Sequence, residues 1–158
     1  MKALAWVLMA AGVATASASA APASSIPPAA LIQPAELAGA LQAAAGSKTV
    51  VLQVGFRTLY DQAHIPGAEY TGAAGEDEGL RGLRERVAKL QRDTPIVIYC
   101  GCCPWTHCPN IAAAFAALRE LKFTRLKVLH IPNNFGSDWV DKGYPIEKGR
   151  SGSLNSGS

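Results

Sequence analysis

All four cysteines of the chain lie between positions 100 and 108, in the run Tyr99-Cys100-Gly101-Cys102-Cys103-Pro104-Trp105-Thr106-His107-Cys108-Pro109-Asn110. Cysteines spread along a chain act as staples, whereas cysteines gathered at one place point to sulfur chemistry or metal binding. The run starts where an apolar stretch, Ile96 to Tyr99, ends, and it stops where a helical pattern opens. A thiol at a strand end, followed by a turn and a helix N-terminus, occupies a place that stabilises negative charge.

Several chemistries compete for this run. Cys108 directly precedes Pro109, which puts it at the N-cap of the next helix, where the dipole is expected to lower a thiol pKa. Cys102 and Cys103 supply further partners for thiol–disulfide exchange. A structural disulfide pinning a long loop is the plainer alternative, and four cysteines allow three pairings. Cys100, Cys102, Cys103 and Cys108 together with His107 also offer soft ligands for Cu(I) or Zn. Adjacent Cys102 and Cys103 are poorly placed to hold one ion together, so metal ranks below sulfur transfer. His107 is a candidate base or cation beside a thiolate, and equally a solvated loop histidine. Trp105 either shields the sulfur from water or packs on the surface.

The elements that must position this loop read as alternating strands and helices. Pro34 opens a helix with Leu37, Leu41 and Ala44 inward, stopped at Gly46-Ser47. Thr49 to Val54 is a β-rich run. A helical turn spans Thr58 to Gln62, and His64 to Ala68 is a turn. Leu80, Leu83, Val87 and Leu90 mark one face of a helix. Ile96 to Tyr99 is a strand opened by Pro95. Pro109 opens a helix with Ile111, Phe115, Leu118 and Leu121 inward. Leu126 to Leu129 is a strand, and Phe135 to Val140 a short last helix closed by Gly143. Trp139 and Phe115 read as core. The alternation implies an α/β fold, a parallel sheet with helices on both faces.

Residues 1–20 read as a signal peptide: Lys2, an apolar stretch from Ala3 to Ala16, and Ala18-Ser19-Ala20 as a small-residue cleavage site. Residues 21–31 read as a flexible linker, 32–149 as one domain and 150–158 as a Gly/Ser-rich disordered tail. A periplasmic or secreted location follows, with no membrane contact once the signal is removed. The net charge of +3 is too small to point to nucleic acid. Oligomeric state is left open, because no exposed apolar pattern stands out.

Several motifs, in order, resemble the rhodanese-like, sulfurtransferase-type family. They are Ile32-Gln33-Pro34-Ala35-Glu36-Leu37, then Tyr60 to Ala68 around His64-Ile65-Pro66-Gly67, then Ile96-Val97-Ile98-Tyr99-Cys100, then Leu121-Lys122-Phe123, Leu129, Trp139 and Gly143-Tyr144-Pro145. The resemblance implies a rhodanese-like domain over 32–149 with Cys100 as the persulfide-forming nucleophile, and His64 as a structural residue. The plainer alternative for Cys100 is a small apolar residue closing its strand, ranked below the functional reading because the whole loop is unusual. In the implied chemistry the thiolate takes a sulfane sulfur from a small donor or a protein thiol and passes it on, without a cofactor. Loop residues Gly101, Trp105 and Thr106 would border the substrate.

Three departures from the family pattern stand out. Gln53-Val54-Gly55 replaces the usual Asp-Val-Arg, Asn133-Asn134 replaces Gly-Gly, and no Arg or Lys occurs between Cys100 and Arg119. Arg57, the basic residue nearest that first motif, reads as an exposed salt-bridge partner. A cell-cycle-type phosphatase would need an arginine where Thr106 stands, six residues after Cys100. The leading expectation is therefore an exported sulfurtransferase or thiol–disulfide exchanger acting through Cys100. A thiolate metal carrier and a non-catalytic domain with a disulfide-locked loop are the alternatives.

Overall fold

The computed structural model describes residues 26–43 and 48–149. The signal peptide, the helix stop at Gly46-Ser47 and the tail 150–158 lie outside them, as does Ala44. Within the described residues the elements alternate as expected: β1 (Leu31–Ile32), α1 (Pro34–Ala43), β2 (Val50–Gln53), α2 (Arg57–Gln62), β3 (Glu69–Tyr70), α3 (Asp77–Val87), β4 (Ile96–Tyr99), α4 (Pro109–Glu120) and β5 (Leu126–Leu129). A π-helical turn, Gly136–Val140, follows β5.

The five strands form one parallel sheet in the order β1-β5-β4-β2-β3. β4 sits in the middle, paired with β2 through Val51↔Val97 and Gln53↔Tyr99 and with β5 through Ile98↔Val128. The chain leaves β2 toward β3 at one edge and leaves β4 toward β5 on the other side. The crevice between the carboxyl ends of β2 and β4 is thus the point where the strand order reverses, the place where open α/β sheets bind ligands.

Side chains on β4 alternate between two cores, as the strand period of two requires. Ile96, Ile98 and Cys100 pack with Leu52, Leu83, Val87, Ile111 and Leu118 beneath α3 and α4. Val97 and Tyr99 face the other side, against Leu37, Leu129, Ile131, Phe135 and Trp139. The alternation therefore aims the Cys100 sulfur toward the N-terminus of α4. Trp139 is fully buried and donates its indole N–H to the Pro145 carbonyl at 2.9 Å. Phe115 is only half-buried, packed against the core of the α4 face.

Some boundaries differ from the sequence reading. The segment read as a flexible linker is packed at its end: Ile26 is buried, Pro28–Ala30 forms a turn of 3₁₀ helix, and Leu31 pairs with Val128. Here burial of one isoleucine and pairing to β5 override a Pro- and Ala-rich composition. The strands β1 and β3 are two residues long, too short to leave a periodic pattern.

His64 holds the edge, in the structural role implied for it. Its ring stacks on Tyr60 at 3.9 Å between centroids, and Nδ1 donates to the Tyr60 carbonyl at 2.7 Å. Its Nε2 faces Glu147 Oε2 at 3.6 Å, too long for a hydrogen bond. The His64–Glu147 backbone bridge ties the C-terminal segment to the start of the Ile65-Pro66-Gly67-Ala68 turn. Arg57 pairs with Asp61 at 4.0 Å and lies 3.9 Å over the Tyr70 ring, an exposed surface arrangement as expected. Among the described residues no helix is long and apolar enough to cross a membrane.

Because Trp139 fills the core between α1 and the C-terminal segment, Trp139→Ala is expected to cost about 3–5 kcal/mol. Denaturant unfolding followed by far-ultraviolet circular dichroism measures this loss.

Candidate functional site

Cys100 is the first residue past β4, and only 3% of its surface is exposed. Gly101, at φ +86°, turns the chain sharply after it, and a Cβ there would lie 2.7 Å from the Phe135 Cβ. The Gly101 carbonyl accepts from Phe135 N–H at 3.1 Å, and the Trp105 N–H donates to the Ile131 carbonyl at 3.0 Å. The loop is thus fastened at two places to the chain that follows β5. Its 3₁₀ turn, Trp105–His107, delivers Cys108 to the N-cap of α4, the position the sequence assigns to it.

All four cysteines are free thiols. Cys100 Sγ lies 3.2 Å from Cys102 Sγ, and Cys102 Sγ lies 3.2 Å from Cys103 Sγ. The Sγ atoms of Cys100, Cys102 and Cys108 are all within 4.8 Å of one another. Cys100 and Cys108 are buried, while Cys102 and Cys103 are half-exposed.

The donors around Cys100 hold its pKa down at about 6. The largest contribution is the hydrogen bond from the Cys108 thiol; burial opposes it, and the Cys102 backbone N–H, the Cys102 thiol and the Asn110 amide add to it. Asn110 donates Nδ2–H to the sulfur at 3.4 Å. Its orientation is fixed from the other end, because Oδ1 accepts from the Gly75 N–H at 2.8 Å. Among the described residues no cation takes part.

Cys108 carries the opposite shift to the one its N-cap position suggests. Its pKa is raised, first by the hydrogen bond it gives to Cys100, then by burial and by the Cys100 charge. Cys102 is also raised, by burial first and then by its contacts with Cys103 and Cys100. The helix end does supply a donor to Cys108, the Ile111 N–H. But neighbouring thiols in one pocket share their first negative charge, and here the hydrogen bonds converge on Cys100. An N-cap position lowers the pKa of an isolated thiol; in this cluster the competition for donors outweighs it.

The neighbouring strand completes the cradle. Gly55 N–H donates to Gln53 Oε1 at 3.2 Å, so Gln53 Nε2 points across the crevice and donates to the Cys100 carbonyl at 3.1 Å. A Cβ at Gly55 would stand 2.6 Å from Cys100 Sγ. The Gln53-Val54-Gly55 departure therefore has a local meaning: the amide ties β2 to β4, and the glycine leaves room for the sulfur.

Other candidates lie farther out. His107 is exposed and meets Thr106 Oγ1 at 3.0 Å through Nδ1. The three sulfurs that lie within 4.8 Å of one another are those of Cys100, Cys102 and Cys108; His107 and Cys103 are not among them. Thr106 is exposed, and Trp105 is half-buried with its ring edge-on to His130 at 5.8 Å. The sequence reading missed Asn110, Gln53 and Gly55. A polar residue in the first helical turn after Cys108-Pro109 was the available signal for Asn110.

Comparison of the sequence with protein-family models and with curated proteins gives no match. Solved structures do match the fold. The rhodanese-like domain of the Alr3790 protein from Anabaena sp. is 20% identical at TM-score 0.55, over 82% of this chain and 92% of that one. The BH2092 protein from Bacillus halodurans is 20% identical at TM-score 0.57, over 75% and 76%. Protein hp1203 from Helicobacter pylori 26695 is 15% identical at TM-score 0.51, over 77% and 91%. The chain has the rhodanese-like fold, an α/β domain on a five-stranded parallel sheet, with a cysteine-rich loop at the C-terminal end of its central strand.

Ultraviolet titration of the reduced protein is expected to show one thiolate forming with a midpoint of about 6. Asn110→Leu should move that midpoint upward by about one pH unit, the worth of a hydrogen bond to a charged group. Gly55→Ala should crowd the sulfur and destabilise the fold by about 1–3 kcal/mol, read from the denaturant midpoint.

Proposed function

We propose that this protein is an exported sulfurtransferase-type protein that works through the Cys100 thiolate, periplasmic or secreted in location. The observation that carries the reading is the convergence of the Cys108 thiol, the Cys102 N–H and the Asn110 amide on one sulfur at the strand-order switch point. An ionised sulfur held by neutral donors is a nucleophile at neutral pH. It attacks the outer sulfur of a sulfane donor; the donor's remaining part leaves with the bonding pair, and Cys100 carries a persulfide. A small acceptor or a protein thiol then takes that sulfur and returns the thiolate.

Two features support a thiol relay within this chemistry. Cys100 is covered, whereas Cys102 is half-exposed and 3.2 Å away, so Cys102 is placed to exchange with Cys100 and with solvent. The loop's lack of cations disfavours a dianionic donor such as thiosulfate and suits a less charged one such as an organic persulfide.

The reduced protein is expected to gain one sulfur atom from an organic persulfide, located on Cys100 by mass spectrometry, and to transfer it to cyanide as thiocyanate. Cys100→Ser should abolish transfer. Cys102→Ser or Cys103→Ser should change its rate or its dependence on reductant. Full activity in Cys100→Ser with loss in Cys108→Ser would reverse the assignment of the nucleophile. Stable loss of hydrogens from the cysteines without turnover would leave a disulfide-locked, non-catalytic loop.

A further inference from the structure

Three sulfurs reach one point from three places in the chain. Cys100 comes from the end of β4, Cys102 from beyond the Gly101 turn, and Cys108 from the N-cap of α4, and their Sγ atoms all lie within 4.8 Å of one another. Three thiolates in a plane around one ion, with metal–sulfur bonds of about 2.3 Å, stand about 4 Å apart. Cys100 and Cys102 are at 3.2 Å. Shifts of less than about 1 Å would therefore centre an ion among them. We propose that Cys100, Cys102 and Cys108 form a three-coordinate site for a thiophilic monovalent cation, with Cu(I) as the ion it takes.

The donor set selects the ion. All three ligands are soft sulfur, which favours Cu(I), zinc or an iron–sulfur centre over hard cations. A structural zinc site is closed by a fourth ligand. His107, one candidate for that role, is exposed and turned to Thr106; Cys103 meets Cys102 Sγ at 3.2 Å but does not join the three sulfurs that all lie within 4.8 Å of one another. A d¹⁰ monovalent ion has no need of a fourth ligand and accepts a trigonal plane.

The surroundings are those of a supported site. Asn110 donates to Cys100 Sγ while the Gly75 N–H fixes its other end, and Gln53 holds the Cys100 carbonyl, so the first ligand is oriented by a second layer of hydrogen bonds. Ala74 and Ile111 pack in the same apolar cluster as Cys100 and Cys108 and keep water from the inner side. Cys102, half-exposed, gives the ion its way in. The residual negative charge of a trithiolate complex lies at the N-terminus of α4, a 12-residue helix whose dipole favours it. Binding is ligand exchange: Cu(I) sheds its carrier ligands, thiol protons pass to solvent, and no electron is transferred. The site stands on sulfur geometry alone, so it and the sulfur-transfer reading can fail separately.

The test is a titration of the full-length, reduced protein under nitrogen with Cu(I) held by bathocuproine disulfonate. One Cu(I) per chain is expected to leave the coloured chelate, with a thiolate-to-copper charge-transfer band appearing in the ultraviolet and three sulfur neighbours seen by X-ray absorption. Cys100→Ser, Cys102→Ser and Cys108→Ser should each weaken binding by about a hundredfold or more, and Asn110→Leu by about tenfold. His107→Ala should bind as the parent does, and Cys103→Ser, which removes a contact to Cys102 Sγ and no ligand, should weaken binding less than any ligand variant. Circular dichroism checks each fold, and Cys102→Ser, at a half-exposed position, keeps the test decisive if a buried variant does not fold. Retention of all copper by the chelate overturns the proposal. So do equal losses in Cys103→Ser or His107→Ala, and so does tight uptake of Zn(II) with none of Cu(I).

Discussion

The negative charge on Cys100 has to be held by dipoles, because the loop from Cys100 to Pro109 contains no arginine or lysine. At 3% exposure the sulfur loses most of its water, and burial alone would raise its pKa. A thiol hydrogen, a backbone N–H and a side-chain amide outweigh that penalty. Each of these donors depends on an element being in place: Cys108 and Asn110 on α4, the Cys102 N–H on the Gly101 turn, the sulfur itself on β4. The fold subserves that convergence, and the strand order places it where the sheet opens between β2 and β4.

The same requirement explains the residues lining the crevice. A side chain at position 55 would collide with the sulfur, so glycine stands there. The glutamine at 53 spans the two strand ends and satisfies the Gly55 N–H and the Cys100 carbonyl with one amide. Buried polar groups persist when every member has a partner, and Gln53 and Asn110 meet that condition.

Much of this was legible in the sequence. The apolar run Ile96 to Tyr99 marked a strand, Pro109 marked the start of α4, and the order of the two placed Cys100 at a strand end before a helix. What the sequence left hidden has physical reasons. Two-residue strands at Leu31 and Glu69 carry no periodicity. Ile26 lies in a Pro- and Ala-rich stretch whose composition suggests a linker, and only tertiary packing makes it core. Asn110 and Gln53 are ordinary polar residues until the chain brings their partners within reach. The charge distribution among the thiols was beyond a residue-by-residue argument, since it depends on which sulfur the donors face. Position favoured Cys108, whereas the neighbours favour Cys100.

Asn110 also links two distant stretches of backbone through one planar group. Its amide is engaged at both ends, by Gly75 before α3 and by the sulfur. The group cannot rotate to serve a new occupant of the sulfur lone pair without releasing Gly75. Chemistry at the thiol and the entry of the chain into α3 are thereby mechanically joined, through a lever one side chain long.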